Sequence, residues 1–254
     1  MKKVLVISKM TILENSKKQI FHMLCLVILA IIASSTLLSV LTEGAKVKII
    51  KDLAMTTILF GGAVLSIALA ANSIPNDIEN RTIYPIFARS ITRTQYITGK
   101  YLGTISTIGL GLLAISSVFI ILIVSFEGKF DPYILLAMFF TYLQVCIIAA
   151  FTTTLSIFFS PAITSSLSFL VYIFGSVKMG YLDGLIERSD NISRTVLGFI
   201  SHILPNLECF NFKNALVHHD SVPANYLVQV FLYGIIYIVF SLWIGTAAFS
   251  RKEI

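Results

Sequence analysis

Residues Tyr133 to Val177 read YILLAMFFTYLQVCIIAAFTTTLSIFFSPAITSSLSFLVYIFGSV, a run of 45 residues without Asp, Glu, Lys or Arg. A single α-helix of that length would measure about 67 Å, because each residue adds about 1.5 Å. The hydrocarbon core of a bilayer is only about 30 Å thick. The run must therefore fold back. Ser160-Pro161 supplies the break, since proline lacks the N–H group and disfavours helical geometry in the residue before it.

Four further stretches lack these charged residues, namely 19–42, 53–76, 101–126 and 221–250. Each is at least as long as the roughly 20 residues that a membrane-spanning helix needs. Charged residues make up 13% of the 254-residue chain, against about 25% in soluble domains. The sequence predicts an all-α, polytopic integral membrane protein with a single domain over residues 1–254. Six transmembrane helices are predicted, at about 20–41, 53–74, 101–125, 133–158, 162–179 and 226–249.

The distribution of charge predicts the orientation. An even number of spans places both termini on one side, together with the 76–100 loop and the Ser160 turn. That side then carries 11 Lys/Arg and 4 Asp/Glu, and the other side carries 8 and 9. Because basic residues favour the cytoplasm, we expect a protein of the plasma or inner membrane with both termini cytoplasmic. The outer loop with Lys46, Lys48 and Lys51 departs from this rule. Membrane topology explains the basic net charge, so nucleic acid is not expected as a partner.

Residues 1–18 alternate apolar and basic positions. Val6, Met10 and Leu13 recur at helical spacing among five lysines. This pattern predicts an interfacial helix on the inner membrane surface, in contact with lipid headgroups. A basic tail that only sets the orientation is the alternative.

A second amphipathic pattern lies outside, between spans 5 and 6. The apolar positions are spaced by one, three and four residues, after the candidate caps Asn191 and Ser193. They are Val196, Leu197, Ile200, Ile203, Leu204 and Leu207. We expect an outer amphipathic helix, interfacial or partly re-entrant, with a bend at Pro205.

Sequence motifs of catalysis are missing from the chain. It contains no His-Glu-x-x-His, no Gly-x-Ser-x-Gly, no Cys-x-x-Cys and no phosphate-binding Gly-x-x-x-x-Gly-Lys-Ser/Thr loop. We therefore expect no enzyme and no metal or cofactor on this chain. The span interiors also lack the charged groups that ion-coupled carriers usually hold. Gln144 and residues 152–154 are expected to form hydrogen bonds between helices.

The loop between spans 2 and 3, from Asn76 to Lys100, is basic and punctuated by proline. Pro75 ends or kinks the second span, and Asn76 or Asp77 can cap a new turn. Pro85 favours a short helix near residues 82–88. Thr92 or Thr94 then begins the third span, extended inward by a turn or two.

This loop has the composition of a docking surface for a soluble partner. Its apolar residues are expected to form one face of the short helix, and its arginines can pair with acidic side chains or lipid phosphates. The apolar residues are Ile83, Tyr84, Ile86 and Phe87, and the arginines are Arg81, Arg89 and Arg93. A simple positive-inside anchor is the alternative interpretation.

Glu79-x-x-Thr82, followed by an apolar stretch and Arg89-Ser-Ile-Thr-Arg93-Thr-Gln-Tyr-Ile-Thr-Gly99-Lys100, resembles the signature of ABC-2 type permeases. These are the integral membrane subunits of a class of ABC transporters, and the NosY-like permeases are the subgroup that the chain resembles most. The usual pattern is an acidic residue, then Gly-Thr, then a Pro-Ile/Val-x-Arg stretch that ends in Gly-Lys. This chain departs from it with Arg81 in place of Gly and Ala88 in place of Pro.

The resemblance implies that Glu79, Thr82 and the region Ile83 to Arg93 form a cytoplasmic coupling helix that docks on an ABC ATP-binding subunit. It also implies a permease subunit, by family an exporter, that dimerises with a second copy or a sister permease. ATP and Mg²⁺ would bind to the partner subunit. A non-transporting membrane scaffold or assembly factor, which recruits a soluble partner through the 76–100 loop without ATP, is the alternative. A stand-alone channel or secondary carrier is the third.

Overall fold

The computed structural model describes residues 2–40, 46–87, 91–128, 131–176, 204–213 and 222–251. These residues are almost entirely helical, and no β-strand occurs among them. The helices are α1 (Lys2–Lys17), α2 (Gln19–Val40), α3 (Lys46–Ala71), α4 (Ser73–Glu79), α5 (Ile83–Phe87), α6 (Arg93–Glu127), α7 (Tyr133–Leu155), α8 (Pro161–Ser176) and α9 (Ala224–Arg251). A short 3-10 turn, Glu208–Phe210, precedes α9.

Five helical segments of the described chain are long and apolar enough to cross a membrane: Gln19–Thr36, Val47–Glu79, Arg93–Phe126, Tyr133–Leu155 and Ala224–Arg251. The protein is therefore a multi-pass α-helical membrane protein. The break before Pro161 is present, since α7 ends at Leu155 and Pro161 is the first residue of α8. The described part of α8 has 16 residues, or about 24 Å. Residues 177–179 of that expected span lie outside the described residues, so the six-span arrangement remains a prediction.

Helix α7 lies at the centre of the bundle and contacts α3, α6, α8 and α9. Within its apolar segment 67% of the residues are buried, against 17% in α2 and α9. Helices α2 and α9 therefore present most of their apolar surface outward, as helices at a lipid boundary do. Of the threonines expected to link helices, Thr154 does so, because its hydroxyl donates to the Ser241 carbonyl of α9 (2.8 Å). Thr152 and Thr153 donate to carbonyls of their own helix instead.

At one end of the bundle the described residues 73–87 and 91–92, here called the 73–92 segment, meet the residues that follow α7 and the last turn of α9. Ile83, Tyr96, Ile157 and Phe249 share one apolar cluster there. Arg93 donates to the Phe249 and Ser250 carbonyls at 2.6 and 3.1 Å. A cation is favourable at this position, because the carboxyl end of a helix carries partial negative charge.

Ion pairs stabilise the opposite end of the bundle. Lys51 Nζ lies 3.2 Å from Asp131 Oδ2, and both side chains are buried. Lys213 Nζ lies 3.1 Å from Asp52 Oδ1. Lys51 is one of the three lysines that depart from the positive-inside rule; it lies in the first turns of α3 and not in a loop, and Asp131 compensates its charge.

The described segment Leu204 to Lys213 enters the bundle beside α7, α8 and α9. Leu207 and Phe210 are fully buried. The Leu207 N–H donates to the Gly175 carbonyl (2.7 Å), and the Asn206 N–H donates to the Tyr233 hydroxyl oxygen (2.8 Å). The rest of the expected outer amphipathic helix, up to residue 203, lies outside the described residues.

Candidate functional site

The 73–92 segment begins where α3 is interrupted. Pro75 lacks the N–H group that would bond to the Ala71 carbonyl, and α3 ends at Ala71. Proline is tolerated in the first turn of α4, where its missing donor would be unpaired in any case. Asn72 is the N-cap residue of α4. Asn76 and Asp77 therefore lie within α4, and the expectation that one of them caps a turn is wrong.

An exposed turn follows α4. Glu79, Arg81 and Thr82 are all exposed, and the Thr82 hydroxyl donates to the Asp77 carbonyl (3.3 Å). Arg81 has a φ of 57°, a left-handed conformation that costs about 1–2 kcal/mol for residues with a Cβ atom. It is the same position at which the ABC-2 signature usually has glycine. The turn thus presents an acid, a base and a hydroxyl group on a strained backbone.

Most of the apolar surface of α5 packs against the protein itself. Ile83 is fully buried, and Phe87 lies against the rings of Tyr96 (5.6 Å) and Phe249 (6.3 Å). Ile86 is partly buried, whereas Tyr84 is 53% exposed. The expected outward apolar face of four residues is therefore reduced to Tyr84 and part of Ile86. Arg89 lies outside the described residues, and contact of any of these groups with a partner remains a prediction.

Helix α6 begins with a capping box. The Gln95 N–H donates to Thr92 Oγ1 (3.3 Å), and the Thr92 N–H donates to Gln95 Oε1 (3.3 Å). Of the two expected starts, Thr92 is therefore the correct one. Arg93 follows, with its guanidinium 5.8 Å from the centre of the Phe249 ring. In this structure Arg93 links α6 to the end of α9.

A network of ion-paired side chains forms the root of the exposed turn. Lys100 Nζ lies 2.8 Å from Asp77 Oδ2 and 3.2 Å from Glu14 Oε2. Tyr96 donates to Asp77 Oδ2 (2.5 Å), and Lys18 pairs with Glu14 (3.1 Å). The Lys100 and Asp77 side chains are only 5% and 10% exposed, so each depends on the other for its charge to be tolerated. This network joins α1, α4 and α6.

The sequence alone does not predict that Glu14, Asp77 and Lys100 lie together. The local patterns point to Asp77 as a helix cap, to Lys100 as the end of a signature, and to Glu14 as part of a surface helix. One signal is available, because Asp77 and Lys100 border the apolar cores of consecutive spans, where a charge needs a partner. Glu14 and Lys100 are 86 positions apart, so no local pattern predicts that Glu14 joins this pair.

The side chain of Glu14 is 40% exposed. Partial burial raises the pKa of Glu14, but the positive charges of Lys100 and Lys18 outweigh it and hold the pKa below its ordinary value. A lowered folded-state pKa means that the ion pairs stabilise the fold above the unfolded value of 4.5. That contribution is lost as the pH falls through the lowered pKa of the folded state.

Helix α1 packs closely on α6 at two glycines four positions apart. A Cβ atom at Gly103 would lie 2.5 Å from Thr11 Cβ and 2.7 Å from the Ser8 carbonyl oxygen. At Gly99 it would lie 2.8 Å from Ile7 Cβ. Such small residues let two helix backbones approach each other.

The close contact determines which face of α1 is exposed. Its buried positions are Ile7, Ser8, Thr11 and Asn15. The stripe that the sequence singled out, Val6, Met10 and Leu13, points away from the bundle and is 57%, 61% and 54% exposed. The helix is therefore present as expected, and its apolar stripe is available to a surrounding medium.

No family model matches the chain, and no curated protein matches it either. The likeness to ABC-2 permeases consequently depends on the quoted residues between Glu79 and Lys100.

Replacing Arg81 by Gly should stabilise the protein by up to about 1 kcal/mol, because relief of the left-handed strain exceeds the extra conformational entropy of glycine in the unfolded chain. Asn80→Gly is the matched control, since Asn80 has a φ of −81° and glycine brings only its entropic cost there. Thermal unfolding in detergent micelles should show a higher Tm for Arg81→Gly and a lower Tm for Asn80→Gly. Equal losses in both variants would contradict the strain.

Proposed function

We propose that this multi-pass membrane protein is the transmembrane permease subunit of an ATP-driven transporter of the ABC-2 type. A separately encoded ATP-binding subunit would supply the energy, with ATP and Mg²⁺ bound there. The observation that most supports this function is the exposed turn Glu79 to Thr82 on a buried, ion-paired root. A motor outside the membrane needs such a protrusion to act on the spans.

The contacts at the root of the turn would transmit a displacement of the turn to the helices. Asp77 is held by Lys100 (2.8 Å) and by Tyr96 (2.5 Å), both on α6. Phe87 packs on Phe249 of α9, and Glu14 brings in α1. A displacement of the turn would therefore shift three helices together, because packed interfaces move as discrete units and do not deform continuously.

The exposed groups of the turn are the contacts that we expect with the ATP-binding subunit. They are Glu79, Arg81, Thr82 and Tyr84. Ile83 and Phe87 support the docking surface from beneath. In this proposal the turn and both termini are cytoplasmic, and two permease copies, or one copy and a sister permease, pair with two ATP-binding subunits. The resemblance favours export as the direction of transport.

Truncation of the docking surface tests the proposal. Tyr84→Ala combined with Arg81→Ala should reduce co-purification with the co-expressed ABC ATP-binding subunit, and stimulation of its ATPase activity, by about thirtyfold, the loss of one binding hot spot of about 2 kcal/mol. Tyr226→Ala is the control, because Tyr226 is a 40% exposed aromatic residue near the opposite end. It should leave both readouts unchanged.

Two results would contradict the proposal. One is undiminished association in the double variant. The other is labelling of a cysteine at Asn80 by an impermeant reagent from outside the cell, since the turn must be cytoplasmic. Association with a soluble partner that hydrolyses no ATP would support the scaffold function instead.

A further inference from the structure

Helix α1 and the 73–92 segment enclose a groove of about 780 Å³, within the range of roughly 300–1,000 Å³ found for small-ligand sites. Its lining residues on α1 run from Lys3 to Glu14 and recur every three or four positions. They therefore lie on one face, and the groove follows α1 for about 16 Å. Pro85 and Ile86 of α5, together with Ile91, form the facing wall.

The groove has an apolar middle and charged groups at both ends of its α1 wall. Val6, Ile7 and Met10 lie between Lys3 at one end and Glu14 at the other. Beside Glu14 are the buried Asp77 and Lys100. A ligand that satisfies such a lining combines a hydrocarbon chain with a polar headgroup.

The groove is continuous with the surface that faces the membrane. Val6 and Met10 line the groove and also belong to the exposed apolar stripe of α1, next to Leu5 (65% exposed) and Leu13 (54%). After Lys18 the chain enters α2, whose membrane-spanning segment starts at Gln19. An exposed apolar stripe beside lysines at the end of a span is a surface that lipid covers. The lipid that covers Leu5 and Leu13 can therefore extend a chain into the groove.

The charges of the lining select the headgroup. Lys3 and Lys100 balance Glu14 and Asp77, so the lining has no net charge and favours a zwitterionic lipid over an anionic one. Glu14 is the more exposed carboxylate, at 40% against 10% for Asp77. Its Oε1 and Oε2 already lie 3.1 and 3.2 Å from the Lys18 and Lys100 ammonium groups, and its remaining lone pairs can accept hydrogen bonds from the ammonium group of a lipid. Asn80, also in the lining, offers the N–H donors of its side-chain amide to a phosphate.

We propose that this groove is a specific site for one phosphatidylethanolamine molecule of the adjacent leaflet. One acyl chain lies along Val6, Met10 and Ile86. The ammonium group donates hydrogen bonds to Glu14. Phosphatidylcholine has no N–H donors on its headgroup, so it cannot replace that contact.

The test uses the full-length protein in phosphatidylcholine vesicles that contain a minor fraction of phosphatidylethanolamine with a photoactivatable diazirine on its acyl chain. After illumination, peptide mass spectrometry should find the crosslink on the peptides that contain Met10 and Ile86. Unlabelled phosphatidylethanolamine should compete about tenfold better than phosphatidylcholine or phosphatidylglycerol, a ratio equal to about 1.4 kcal/mol. No ATP-binding subunit is present, so the result is independent of the transport function.

Two variants separate a specific site from bulk lipid. Ile86→Trp fills the groove and should abolish the crosslink at Met10. Leu13→Trp is the control, because Leu13 lies on the same exposed stripe but outside the groove lining, and it should keep the crosslink. Glu14→Gln leaves the shape of the groove intact, so it should keep the crosslink and lose the preference for ethanolamine.

The proposal fails if Ile86→Trp and Leu13→Trp are labelled equally, since that pattern indicates bulk lipid. It also fails if the unaltered protein shows no preference among the three headgroups. A groove that excludes lipid because a co-purified protein occupies it would likewise overturn the assignment.

Discussion

Replacement of Lys100 by Met is expected to destabilise the protein by about 3–5 kcal/mol, the usual cost of removing one partner from a buried ion pair. Asp77, with 10% of its side chain exposed, would lose the ammonium group 2.8 Å away. Methionine has a similar length and fills the space, so the effect reports the charge and not a cavity. Thermal unfolding in detergent micelles, followed by circular dichroism, measures the loss as a lower Tm.

The double variant Asp77→Asn with Lys100→Met provides the decisive comparison. It removes both buried charges, so it should recover most of the stability that Lys100→Met alone loses. Lys9→Met serves as the surface control, because Lys9 is exposed, and its effect should stay within about 0.5 kcal/mol. A double variant as unstable as Lys100→Met would show that the ion pair is not the source of the effect.

Gly103→Ala should displace α1 from α6, with a loss of about 1–3 kcal/mol from overpacking. The added methyl group would meet Thr11 Cβ at 2.5 Å and the Ser8 carbonyl oxygen at 2.7 Å, and backbone atoms cannot move aside as a flexible side chain can. The substitution Ser8→Cys, at a position that is only 8% exposed, reports the displacement. In a background without the native cysteines, this thiol should resist a water-soluble maleimide when Gly103 is retained and react with it in the Gly103→Ala variant.

The same substitution at Gly109 is the matched control. The atoms nearest to a Cβ there belong to the end of the Tyr142 ring, at 3.2 Å, on the side of α6 that faces α7. Gly109→Ala should leave the thiol of Ser8→Cys protected. Protection that persists in Gly103→Ala would mean that α1 stays on α6 despite the added methyl group, and would remove the role assigned to Gly103.

Several boundaries are predictable because they depend on neighbours in the chain. Pro161 begins α8 and Thr92 caps α6, as their sequence context indicates. Helix α6 also starts about two turns before the apolar core of its span, as expected. The prediction that Asn76 or Asp77 caps a turn is wrong, because Asn72 is the N-cap residue of α4. Two prolines and several polar residues lie close together there, and more than one of them can begin or end a helix.

The faces of α1 and α5 are predictable only in part. The stripe Val6, Met10 and Leu13 marks one apolar side of α1, but the side that packs on α6 is chosen by the glycines at 99 and 103. In α5 all the apolar residues are equally suited to a partner by their sequence alone. Ile83 and Phe87 instead fill a space that Tyr96 and Phe249 create, and Phe249 is distant from both in sequence.

The amino-acid sequence by itself determined that the chain is helical and crosses a membrane several times, because long uncharged runs have no other way to satisfy their backbone in lipid. Only the tertiary structure decided that Glu14, Asp77 and Lys100 meet, that Tyr84 faces outward, and that a groove opens between α1 and α5. The physical reason is that span length and helix caps depend on residues within a few turns of one another. Ion pairing, burial and grooves depend instead on which helices, distant in sequence, pack together. Local sequence patterns do not predict those contacts.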